Sequence, residues 1–220
     1  MNKEQLFMQN FQEQNNPSIS YLTCFDQILQ EMIRGMTRPR PKGSISGLFI
    51  RQMIPHHEAA IRMSENLLQF TKPSGKNCDC CDTYEKDLIL PLNNIAKNII
   101  EEQTKSIEHM KNAFFCCCEH ENSNQDMRRY MMVFRPVVQT MFSEMRRAPR
   151  TERIPYDFIR EMIPHHQGAV SMSENALRFP VCPQLIPILD AIIISQKEGI
   201  RQMQKLLDIA SSPFDRDYIG

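Results

Sequence analysis

The sequence predicts an all-α chain: a four-helix bundle made by internal duplication, with additional lead-in helices along its sides. Two observations carry this. Apolar residues recur at spacings of three and four in ISYLTCFDQILQEMIRGM, in two copies of one motif, in LNNIAKNIIEEQTKSIEHMKNAF and in its later counterpart. No stretch sustains the strand alternation and turn signals of a hairpin. Residues 49–70, FIRQMIPHHEAAIRMSENLLQF, return at 158–179 as FIREMIPHHQGAVSMSENALRF, with fifteen of 22 positions identical at an offset of 109.

Residues 1–46 read as an N-terminal lead-in helix and linker, 47–210 as the duplicated bundle domain, and 211–220 as a tail. Repeat one covers about 25–115 and repeat two about 134–208. Within each repeat a lead-in, a motif and a return helix follow one another. The lead-ins QILQEMIRGM and VVQTMFSEMR keep the offset through Met32 with Met141 and Met36 with Met145. The return segments 98–110 and 191–203 align through Gln103 with Gln196, Ile107 with Ile200 and Met110 with Met203. Clusters of Pro, Gly, Ser and Asn break the pattern at 37–44, 71–82, 116–126, 147–155 and 179–184. Short connections make antiparallel neighbours, so two motif and two return helices pack as four. Pro55 and Pro164 leave two readings open: a first-turn proline that starts the helix, or an interior proline that kinks it at roughly 3 kcal/mol.

A chain of 220 residues can bury a substantial core, and 26 Lys plus Arg against 26 Asp plus Glu leave no formal net charge. That balance argues against nucleic acid or an anionic membrane as the main partner, since both select for a basic excess. The opening MNKEQLFMQNFQEQNNPS lacks the apolar run of a secretory signal, and no apolar stretch is long enough for membrane insertion. A cytoplasmic location with reduced thiols is expected.

Sulfur is abundant, with 15 Met and 8 Cys, and ten of the methionines form matched pairs once Met53 with Met162 and Met63 with Met172 are counted. Drawn at 100° per residue, Met53, His56, His57, Ala60 and Met63 share a stripe about 120° wide. Met162, His165, His166, Ala169 and Met172 repeat it. Thioether sulfur beside imidazole nitrogen favours a soft cation, above all Cu(I), over Mg²⁺ or Ca²⁺. Met53 and Met63 lie about 15 Å apart along the axis, so one ion cannot take the whole stripe. A site would join Met53 to His56 or His57 and to Met110 or the opposite motif helix, with Met63 at a second position.

Other bundle chemistries fail on spacing. A di-iron carboxylate centre needs Glu-x-x-His, whereas Met53 and Met162 stand three residues before His56 and His165. His57-Glu58 is followed at the zincin position by Ile61, not histidine, and no nucleophile elbow, phosphate loop or dinucleotide fingerprint occurs. Filling gaps in an apolar core is the plain alternative for the methionines.

Cys78, Cys80 and Cys81 fall in the first hairpin loop; Cys116, Cys117 and Cys118 are expected beyond the far end of the return helix, roughly 34 Å away if 92–114 is one helix. Within each cluster the thiols are poorly placed to form disulfides with each other. Each cluster could hold Cu(I) or Zn²⁺ with His120 or Cys182 nearby, or be simple thiols. Neither has the Cys-x-x-Cys pairs of a structural zinc site, and repeat two keeps only Cys182.

The segments MIPHHEAAIRM and MIPHHQGAVSM, each followed by Q-x-x-x-I-x-x-M, resemble the family called domain of unknown function 305 over about residues 47–210. The resemblance implies a ferritin-like bundle, in a family with many exported bacterial members, some associated with copper binding and resistance. It implies His56, His57, Met53, Met63, His165, His166, Met162 and Met172 as metal ligands, with Met110 and Met203 on the return helices. Met32, Met36, Met141, Met145, His109 and the cysteine clusters form a wider candidate set. Ser106 and Gly199 stand where the family's Gln-x-x-Glu-Ile pattern carries an acid. The expected function is Cu(I) or Ag(I) storage, buffering or delivery, with no catalytic base required. The expected partners are the metal ion and either a copper-accepting protein or further copies in a homo-oligomer. Two other readings stay open: a copper or di-metal oxidoreductase, and a structural bundle whose methionines are only core.

Overall fold

The computed structural model describes residues 16–41, 43–71, 83–151 and 153–210. Among them run six α-helices, one short 3₁₀ turn and no strand, so the chain is an all-α bundle. In order these are α1 (Pro17–Thr37), α2 (Ile45–Phe70), α3 (Thr83–Glu119), α4 (Asn124–Arg147), α5 (Ile154–Ala176), the 3₁₀ turn Pro183–Leu185, and α6 (Ile186–Ala210). Motif helices α2 and α5 pack on return helices α3 and α6 and on each other, while α1 lies along α2 and α4 along α5. No helix among the described residues is long and apolar enough to cross a membrane.

Local chemistry sets the helix starts. The Asn16 side chain accepts from Ser18 N–H ahead of Pro17. Ser44 Oγ accepts from Gly47 N–H, and Ser123 Oγ from Asp126 N–H, each satisfying an N-terminal donor that has no partner inside the helix. Gly43 takes φ +63° in the turn before α2, a conformation that suits a residue without Cβ.

Because α2 begins at Ile45 and α5 at Ile154, Pro55 and Pro164 lie inside their helices and start neither. Each removes one backbone donor from the ladder just ahead of the histidine pair. Gly35 lets α1 close on this point: a Cβ there would lie 2.6 Å from Pro55 Cβ. One expectation is corrected at α3, which runs on through Glu119 and shortens the expected break at 116–126 to residues 120–123. Cys116, Cys117 and Cys118 therefore belong to its last turn. Packing holds that turn in place: Cys117 is fully buried, and a Cβ on Gly47 would meet Cys118 Sγ at 2.8 Å and its Cα at 3.1 Å. Residues 72–82, with Cys78, Cys80 and Cys81, lie outside the described residues.

The 109-residue offset recurs in three dimensions. Tyr21 and Tyr130, and Phe49 and Phe158, are fully buried; a buried aromatic of this kind stabilises the fold by about 1.5–3 kcal/mol. Asn66 Nδ2 donates to the Tyr21 carbonyl at 3.0 Å and Asn175 Nδ2 to the Tyr130 carbonyl at 3.1 Å. The asparagine of each Met-Ser-Glu-Asn segment thus ties a motif helix to its lead-in helix.

Candidate site at the crossing of the motif helices

The four motif histidines meet where α2 packs on α5. His56 and His165 stack with ring centroids 3.6 Å apart and planes at 27°. His56 Nε2–H donates to the His165 carbonyl at 3.1 Å, and His165 Nε2–H returns the bond to the His56 carbonyl at 3.0 Å. A carbonyl only accepts, so the proton of each neutral ring sits on Nε2 and the lone pair on Nδ1. His57 and His166 flank the stack, each with its centroid 5.9 Å from that of its chain neighbour.

All four rings are buried, and burial is the main cause of their altered acidity. It pushes His57 down to about 3 and His165 to about 4, and holds His56 and His166 well below the ordinary imidazole value. The charge that His165 would carry adds to the effect on the other three. The imidazoles are neutral at pH 7, so each ring keeps one nitrogen lone pair. All four Nδ1 atoms are buried without a hydrogen-bond partner among the described residues. Leaving a buried ring nitrogen unpaired costs on the order of 1–3 kcal/mol, and in His56 and His165 that nitrogen is an acceptor.

The return helices touch the two outer rings through Ser106 and Gly199. Ser106 Oγ lies 3.1 Å from His57 Nε2. Its counterpart Gly199 faces His166, where an added Cβ would come within 2.8 Å of Cδ2 and 2.9 Å of Nε2. A hydroxyl touches one outer ring, and in the other half the ring packs against bare backbone. Gln103 and Gln196 are buried with unpartnered amide oxygens, as are the hydroxyls of Ser64 and Ser173. Like the histidines, these unpartnered polar groups come in repeat-matched pairs.

The expected thioethers are in the core. Met53, Met162, Met110 and Met203 are fully buried, and Met63 and Met172 nearly so. The outer pairs lie between lead-in and motif helices: Met32 lines a groove with Pro55 and Ala59, and Met141 one with Pro164 and Gly168. Met36 and Met145, also buried, sit one helical turn further along the same lead-in helices. His109 is exposed, on a cleft of about 500 Å³ between α3 and α6 whose wall includes His57, Glu102, Ser106 and Ser195. Among the described residues no group of three His, Cys, Asp or Glu side chains is placed to hold a metal ion. An ion held by three or more side chains here would need a donor outside that set, such as a methionine thioether.

Sequence reasoning missed one buried polar group. Tyr21 Oη donates to Glu161 Oε2 at 2.7 Å, joining α1 to α5. Burial pushes the Glu161 carboxyl well above the usual range, Asp157 adds to this, and the Tyr21 bond opposes it. Asp157 Oδ1 accepts from the backbone and hydroxyl of Thr151, while Oδ2 has no partner. The repeat could have signalled this group by its asymmetry: Leu48 and Gln52 stand where repeat two has Asp157 and Glu161.

No curated protein and no solved structure matches the chain. Residues 84–207 match the family model described as Domain of unknown function (DUF305). The matched span runs from α3 into α6 and contains the second motif copy but not the first. Covering more than half of the sequence, the match establishes that the chain belongs to the DUF305 family.

Proposed function

We propose that this bundle binds Cu(I), or Ag(I), through the motif imidazoles and neighbouring thioethers, and serves in copper storage, buffering or delivery. The observation that carries the proposal is the reciprocal bonding of His56 and His165. It commits each Nε2–H to a carbonyl and leaves each Nδ1 lone pair buried and unpartnered. A neutral imidazole nitrogen in an apolar surround suits a soft monovalent ion, which brings less charge into the core than a divalent one. Met53 and Met162, buried one turn before these histidines, are the nearest sulfur candidates in sequence. No general base or open coordination position is required for such a role.

The test is an anaerobic Cu(I) titration against a competing chelator, on the native protein and on a variant with all eight cysteines replaced. Tight binding that survives cysteine removal supports the motif site. Binding that disappears with the cysteines rejects it.

The complete burial of the central methionines favours one second reading, a structural bundle with a sulfur-rich core. That reading requires any copper affinity to be indifferent to the four histidines.

A further inference from the structure

A cluster of thiols at the opposite end of α3 from residue 83 is not used by the histidine site. Cys116 is exposed on the last turn of α3, Cys117 beside it is fully buried, and Cys182 is buried in the connection between α5 and the 3₁₀ turn. The sulfurs of Cys116 and Cys182 lie 3.8 Å apart, although 65 residues separate them in sequence. Cys182 Sγ–H also donates to Gln184 Oε1 at 2.8 Å.

The backbone around the pair is fixed from several sides. Ser46 Oγ accepts from Cys182 N–H at 2.9 Å, and Ser44 Oγ donates to the Cys117 carbonyl at 2.6 Å. Asn122 donates through Nδ2 to the Pro180 carbonyl and accepts through Oδ1 from Ile45 N–H. The start of α2, the end of α3 and the connection after α5 are thus held together before any bond joins them. To bond, the two sulfurs must close from 3.8 Å to about 2.05 Å.

We infer that Cys116 and Cys182 form a thiol–disulfide exchange site for a low-molecular-weight disulfide of the glutathione type. The Cys116 thiolate attacks one sulfur of the small disulfide; its S–S bond breaks, a mixed disulfide forms at Cys116, and one small thiolate leaves. Cys182, deprotonated in turn, attacks Cys116 Sγ, breaks the mixed disulfide and expels the second small thiolate. The protons given up by the two protein thiols end on the two released small thiols. Two protein thiols are oxidised and one small disulfide is reduced. Cys116 is the entry point because it is exposed; Cys117, whose thiol also contacts Cys182, is enclosed and out of reach of a small disulfide. The contact with Cys182 holds the Cys116 thiol above its ordinary value, so the first step quickens as pH rises. The product links the two halves by a bond that constrains the unfolded chain.

The experiment uses the full-length reduced chain with Cys24, Cys78, Cys80 and Cys81 replaced by Ser, incubated with glutathione disulfide and read by intact mass and free-thiol count. The expected product has lost two hydrogens and two thiols, carries no adduct, and melts at a higher temperature than the reduced form. Cys182→Ser and Cys182→Ala should each stop at a stable glutathione adduct. Using both separates the chemistry from the tolerance of a buried site for a hydroxyl. Cys116→Ser should give neither adduct nor bridge, and Cys117→Ser should behave as its parent. The inference is overturned if Cys116→Ser still forms the bridge, or if the parent keeps its adduct or does not react at all. None of these readouts depends on the copper reading, which concerns other residues.

Discussion

The imidazoles of His56 and His165 stack 3.6 Å apart and donate to each other's backbone carbonyls, so each motif helix caps the other's histidine. The exchange joins α2 to α5 and fixes the tautomer of both rings. It also sets what each ring has left to offer.

Stability should fall with acid. Unfolded histidines titrate near 6.5, whereas folded His57 titrates at about 3 and His165 at about 4, so between these limits the unfolded chain binds more protons. Their contribution is complete above pH 6.5 and is lost as pH falls, by on the order of 3 kcal/mol for His57 at pH 4. Urea melts from pH 7.5 to pH 4 measure this. His57→Asn with His166→Asn should flatten the slope, and an unchanged slope would sink the assignment.

His57→Ala combined with His166→Ala, in a background without cysteines, should weaken Cu(I) affinity at least tenfold in chelator competition. Each lost ligand on a soft cation is worth about 1.4 kcal/mol or more, a factor of ten. Equal affinity in the double variant and its parent would remove the outer rings from the site.

Met53→Leu nearly conserves volume and should cost less than about 1.5 kcal/mol in denaturant melts. If the thioether is a ligand, Cu(I) affinity falls while the fold holds. A large stability loss with intact affinity would instead mark Met53 as core.

The two buried tyrosines should respond differently. Tyr21→Phe strips a buried carboxyl group of its donor and should cost about 1–3 kcal/mol. Tyr130→Phe removes a hydroxyl that has no partner among the described residues and should change stability by less than about 0.5 kcal/mol. Chemical denaturation of both variants side by side decides; equal losses would contradict the assigned bond.

Gly199→Ala gains about 1 kcal/mol of helix propensity but places Cβ within 2.9 Å of the His166 ring. Overpacking of this kind costs about 1–3 kcal/mol, so the net effect is destabilising unless the ring moves. A perturbed His166 imidazole signal in proton NMR is expected; an unshifted ring in a stabilised protein would show that it does not rest on Gly199.

Much of the helical layout was legible because helix periodicity and breakers are local. Spacings of three and four marked the buried faces, and the repeat marked which faces correspond. The 116–126 break was placed too early because three cysteines and a polar tail look like a loop. Burial of Cys117 and the tight approach of Gly47 extend the helix, and both are long-range effects. The role of the motif prolines was open because it depends on where the helix begins, and the Ser44 cap places that start well upstream.

The sequence by itself determined the family, the helical class, the paired histidines and the matched methionines, because these follow from residue identity and spacing along one chain. Only the tertiary structure decided that His56 faces His165, that Ser106 and Gly199 meet the outer rings, that Tyr21 reaches Glu161 and that Cys182 lies against Cys116. A helix pattern specifies which face leaves water but not which face it meets. Ring tautomers, proton affinities and sulfur separations are set by that meeting, because they depend on burial and on partners from the other half of the chain.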